Sequence, residues 1–125
     1  MSDEKHNTIR KKAISFSIRI FHLNEYLIEK QKYSIANQVF RSGTSIGANL
    51  SEAVRAESDK DFVHKYSIAL KEAEETLYWL DLSYSVNLIE YNLYESLRCD
   101  CEELIKLGTS IILAVKRKIE QAHNS

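Results

Sequence analysis

A chain of 125 residues, 44% hydrophobic and 28% charged, has enough material for one packed domain and is too apolar for disorder. The absence of proline and the presence of only three glycines favour long helices. A formal charge of −1 excludes the broad positive field of a dedicated nucleic-acid binder, so any such binding needs a local patch.

The polar start, Met1–His6, has no apolar leader core, and no run approaches the roughly 18 apolar residues of a membrane span. The expectation is a cytoplasmic protein with no membrane partner.

The first helix is expected over about 8–31, where Ile9, Ala13, Phe16, Ile20, Leu23 and Leu27 recur at spacings of four and three. A second, about 34–57, continues that rhythm through Ile35, Val39, Ser42, Ile46, Leu50 and Ala53. Ser58, with Asp61 three residues on, reads as the N-cap of a third helix, about 59–86. Its seam is Phe62, Tyr66, Ala69, Ala73, Leu77 and Leu80, and Asn87 falls in its exit. Asn92 with Glu95 signals the start of a fourth helix, about 92–121, carrying Leu93, Leu97, Leu104, Gly108, Ile111 and Val115. Four such helices with short connections specify an all-α fold, an antiparallel up-down-up-down four-helix bundle about 35 Å long, in one domain over 1–125.

Second apolar rows lie beside these seams at seven-residue spacing. They are Ile14, Phe21 and Ile28 on the first helix, Val63, Leu70, Leu77 and Tyr84 on the third, and Ile105, Ile112 and Ile119 on the fourth. Such rows either widen the core stripe or form an oligomer interface. The rows on the first and fourth helices are the candidate interface residues of a homo-oligomer.

No constellation points to catalysis, a metal or a cofactor, and the expectation is a protein that is not an enzyme. The run Gly43-Thr44-Ser45-Ile46-Gly47 fits the G-x-S-x-G nucleophile elbow, but helical periodicity passes straight through it where an elbow needs a strand before it. Gly43, Gly47 and Ser51 instead form a small-residue groove that another helix can approach. A single Asp61-x-x-His64 falls short of a di-iron set, and Cys99 and Cys101 point to different helix faces. Two basic triplets, Arg10-Lys11-Lys12 and Lys116-Arg117-Lys118, end at one pole of an up-down-up-down bundle. They either aid solubility and offset the helix dipole or make a phosphate-contacting patch for RNA or another nucleic acid.

The stretch Arg41-Ser42-Gly43-Thr44-Ser45-Ile46-Gly47-Ala48-Asn49-Leu50-Ser51-Glu52-Ala53, followed by Asp61-Phe62 and Ile68-Ala69-Leu70-Lys71-Glu72-Ala73, resembles the bacterial 23S rRNA intervening-sequence proteins. The resemblance implies a small non-catalytic four-helix bundle, a homopentamer, acting as a scaffold or adaptor with no cofactor. That family is similar in turn to the accessory protein of diversity-generating retroelements, which implies a nucleic acid or a protein as alternative partner. Among the motif residues, Ser45, Asn49 and Glu52 share a helix face that allows a buried polar network with Arg41 or Arg55 or with a neighbouring helix, with Ser42 on the seam.

Overall fold

A computed structural model describes residues 3–124, so Met1 and Ser2 of the polar start lie outside the described residues. The helices are α1 (Asp3–Glu29), α2 (Tyr33–Glu52), α3 (Asp59–Ser85) and α4 (Tyr91–Asn124), with a 3-10 turn at Ala53–Arg55. No strand occurs among the described residues. Consecutive helices run antiparallel: Ile20 of α1 meets Gly43 of α2, Ser42 of α2 meets Thr76 of α3, and Leu70 of α3 meets Gly108 of α4. α4 closes the bundle against α1 through Arg19–Asp100 at 2.7 Å and Lys12–Glu103 at 3.3 Å.

Periodicity located the seams well because burying apolar side chains at about 25 cal/mol per Å² dominates the choice of face. All six seam residues of α1 are buried, as are Val39, Ser42, Ile46, Leu50 and Ala53 of the second expected helix. On α3, Thr76 is fully buried, whereas Leu77, placed on the seam by spacing alone, is half-buried.

Termini depart from expectation where caps decide them. α1 begins five residues earlier than expected, and its first turns are tied by the Thr8 hydroxyl donating to the Glu4 carbonyl at 2.9 Å. The second expected helix stops at Glu52 and tightens into the 3-10 turn. Ser58 does cap α3: its backbone is extended and its hydroxyl accepts from the Asp61 N–H at 3.0 Å. Asn92, by contrast, lies inside α4, which starts at Tyr91 with the Tyr94 N–H bonded to the Glu90 carbonyl at 3.0 Å. Gln31 and Asn87 end α1 and α3 at φ 61° and 63°, and the N–H of the next residue reaches back to Leu27 and Ser83. These are left-handed helix ends made without glycine.

Candidate functional site

The two basic triplets do lie at one pole, but they do not merge into a single cationic patch. Lys12 pairs with Glu103, and Lys118 pairs with Asp59 at 3.4 Å. Arg10 is half-buried beside Tyr66, whereas Lys11, Lys116 and Arg117 are exposed. The connection from α2 to α3 arrives at the same pole and contributes Glu57, Asp59 and Asp61. Topology alone brings the helix ends together, whereas the carboxylates among the cations come from the α2–α3 connection.

Beneath that pole sits a cluster the sequence reading missed. His6, nearly buried, shares a hydrogen bond between its Nδ1 and the hydroxyl of fully buried Tyr66. Phe62 stacks on Tyr66 with ring centroids 4.5 Å apart, and the His6 ring lies 5.6 Å from each. Burial pushes the Tyr66 phenol well above its ordinary value, and the charge of Arg10 only partly offsets this. A cleft of about 380 Å³ opens above the cluster, bordered by His6, Ser58, Asp59, Phe62, Val115 and Lys118. The one signal in sequence was the i, i+4 pair Phe62 and Tyr66; nothing marked His6 as their partner from 60 residues away.

The buried network that the shared face allows among Ser45, Asn49 and Glu52 does not form. Ser45 Oγ donates to the Arg41 carbonyl at 2.5 Å, Asn49 Nδ2 donates to the Ser45 carbonyl at 2.8 Å, and both stay within α2. Each side chain can satisfy itself one turn back along its own helix, and that short-range bond wins over a network. Glu52 alone reaches a neighbouring helix, pairing with Lys65 of α3 at 3.2 Å. Arg41 bridges Glu72, at 3.2 Å, and Glu75, while Trp79 Nε1 donates to Glu75 at 2.9 Å. The buried polar link is Ser42: it accepts from Thr76 Oγ1 at 3.0 Å and donates to the Gln38 carbonyl at 2.9 Å, which registers α2 on α3.

The second apolar rows separate. Ile14, Phe21 and Ile28 are 61%, 49% and 41% exposed. On α4, however, Ile112 is part of the core, Ile105 packs against that core, and Ile119 is half-buried. At Ile112 and Ile105 the α4 row thus widens the core stripe, one of the two readings its spacing left open: α3 comes so close that a Cβ at Gly108 would stand 2.6 Å from Leu70 Cδ2. The Gly43–Gly47 groove is likewise filled from within the chain, by Ile20 and Ala13 of α1. Ser45 lies mid-helix, with no strand before it.

Among the described residues no group of three or more His, Cys, Asp or Glu side chains is placed to hold a metal ion, and no helix is long and apolar enough to cross a membrane. Residues 5–110 match the family described as 23S rRNA-intervening sequence protein, which leaves the Lys116–Lys118 triplet beyond the matched part. Among solved structures, the chain is similar to a protein with unknown function from the S23 ribosomal protein family of Bacteroides thetaiotaomicron. The two share 46% identity, with 86% of this chain and 97% of that one covered, at a TM-score of 0.84. No curated protein matches.

Proposed function

The chain belongs to the 23S rRNA-intervening sequence protein family, and from that premise we propose that it is a non-catalytic cytoplasmic scaffold or adaptor that works as a homo-oligomer, with a pentamer preferred. The observation that carries this reading is the uncovered row on α1. Ile14, Ile18, Phe21 and Ile28 present large side chains to solvent along a helix whose opposite face already fills the core. Contiguous apolar surface of this kind on a soluble bundle is a mark of a protein interface. A closed ring of identical subunits would bury the row once per subunit, and the family resemblance supports five.

Light scattering on the unmodified protein tests this: a mass of several chains is expected at micromolar concentration, and a monomer mass would end the reading. Ile14→Glu combined with Phe21→Glu should lower the mass while circular dichroism keeps its helical signal, because neither side chain is in the core. An unchanged mass would move the interface elsewhere.

A second reading is a nucleic-acid-binding accessory factor, supported by exposed Lys11, Lys116 and Arg117. Their phosphate contacts would make RNA retention fall steeply with salt, and replacing all three by alanine would flatten that dependence. Retention insensitive to salt and to the replacements would exclude it. The carboxylates interleaved at that pole make this the weaker reading.

A further inference from the structure

At the pole opposite His6, the turn from α3 to α4 assembles three tyrosine rings. Tyr84 and Tyr94 lie nearly parallel, with centroids 4.6 Å apart at 10°, and Tyr91 packs edge-on to Tyr84 at 5.8 Å and tilted to Tyr94 at 6.4 Å. Tyr84 and Tyr91 remain 38% and 55% exposed, with Val86 exposed beside them in the turn. The Tyr94 hydroxyl donates to Asp81 Oδ1 at 2.5 Å, so the stack is anchored at its base.

Along α3 and α4 the charge near the rings is mostly negative, with Lys32 of the α1–α2 turn as the cation that shares a groove with Val86. From residue 81 to 102 the chain carries Asp81, Glu90, Glu95, Asp100 and Glu102 against Arg98 alone. Arg98 is already engaged by Glu95 and by Glu102, at 2.7 Å, and Asp100 by Arg19. Asp81 holds the Tyr94 hydroxyl and Glu90 directly precedes Tyr91 in the chain, and both are exposed.

We propose that this tyrosine cluster is a docking surface for an arginine-rich protein segment. Exposed tyrosine is the residue type most at home in a protein interface, offering a rigid apolar face with a polar tip. The carboxylates of Asp81 and Glu90 select the sign of the partner. A nucleic acid could stack bases on the same rings, but its phosphates would meet Asp81 and Glu90, so the charge argues for a cationic peptide. Between the two basic side chains, the planar guanidinium both stacks on a tyrosine face and forks onto a carboxylate, which an ammonium cannot do. This surface is separate from the α1 row and does not depend on the oligomer reading.

The test uses the full chain in its native assembly, titrated at low salt by calorimetry with a nona-arginine peptide, a nona-lysine peptide and a uridine nonanucleotide. Arginine is expected to bind roughly tenfold more tightly than lysine, and the RNA not to bind at this face. Tyr84→Ala with Tyr91→Ala, checked for unchanged helix content, should remove that tenfold advantage, and Glu90→Gln should weaken both peptides. Should the double variant unfold, ring-proton shifts of the unmodified protein decide instead, with arginine peptide expected to move tyrosine signals and lysine peptide not to. Equal affinity for the two peptides, an arginine affinity unmoved by loss of the rings, or RNA binding that the tyrosine replacements abolish would overturn the proposal. So would a change in assembly mass on replacing the tyrosines, which would assign the face to a second copy of the chain.

Discussion

Ile14, Phe21 and Ile28 on α1 and Ile105, Ile112 and Ile119 on α4 repeat at the same spacing, yet α1 shows its row to solvent while α4 packs Ile105 and Ile112 inward and leaves Ile119 half-buried. The cause lies on the neighbouring helices. Gly108 lets Leu70 of α3 settle onto the α4 backbone, and Cys101 Sγ donates to the Ala73 carbonyl at 3.3 Å, so the α3–α4 seam is tight and wide enough to take in a second row. α1 leans on α2 through Gly43 and Gly47 and meets α4 over a smaller surface, where a groove of about 310 Å³ bordered by Arg19, Leu23, Leu93 and Leu97 stays open. A seven-residue apolar row thus records that a face is sticky. What covers it is set by small residues elsewhere.

The largest contrast should appear in thiol chemistry across α4. Cys101 is buried in the tight seam, and burial pushes its thiol up to about 12; Cys99, two residues earlier, is exposed. With a disulfide-exchange reagent at mild alkaline pH, one thiol per chain should react promptly. The second should react slower by a factor on the order of 1,000, because it requires opening of the core. Two equally fast thiols would mean that the α3–α4 seam is as loose as the α1–α4 one.

Charge insertion sharpens the same comparison energetically. Ile112→Glu places a carboxylate in the core and should cost about 3 kcal/mol or more in denaturant unfolding. Ile14→Glu leaves its charge in water, so the fold should shift by no more than about 1 kcal/mol. Similar losses at the two sites would place the α1 row in a core after all.

Glycines give opposite signs within one helix. At Gly43 an added Cβ would sit 2.9 Å from the branched carbons of buried Ile20, so Gly43→Ala should destabilise by about 1–3 kcal/mol. At Gly47 the nearest atom is Ala13 Cβ at 3.5 Å, an ordinary contact, so Gly47→Ala should stabilise by about 0.5–1 kcal/mol through helix propensity. Thermal melts of the two variants moving the same way would contradict the close approach of α1 at Gly43.

The fold was legible because helical periodicity reports the buried face directly: every seam residue named for α1 is buried. The site was less so. Topology brought the two basic triplets to one pole, but which cations keep their charge free depends on Glu103 and Asp59, carboxylates from other helices. The Arg41 to Glu52 motif suggested a network; local backbone bonds satisfied Ser45 and Asn49, and Ser42 made the link to Thr76 instead. His6–Tyr66 and the tyrosine cluster pair distant or differently placed residues, and spacing along one helix carries no trace of such partners.

The smallest effect concerns the far end of the α3–α4 seam, which Tyr94 and Asp81 fasten. The hydrogen bond to Asp81 is the main reason the Tyr94 phenol is pushed up to about 12, with desolvation and the charge of Asp81 adding and Arg98 opposing. The folded value lies above the unfolded 10.0, so the neutral phenol is the favoured form. Its contribution is whole below about pH 10 and is lost as pH rises from there to about 12. Because the ring is solvent-accessible, screening keeps that contribution small, and spectroscopy is a better probe than a melting curve. Asp81→Asn removes the accepting charge and should bring one tyrosine's titration at 295 nm down from about 12 toward 10, with little change in stability at neutral pH. If the titration does not move, the hydroxyl is not held by Asp81, the Tyr84–Tyr94 stack lacks its anchor, and the α3–α4 seam would be open at its end as the α1–α4 seam is along its groove.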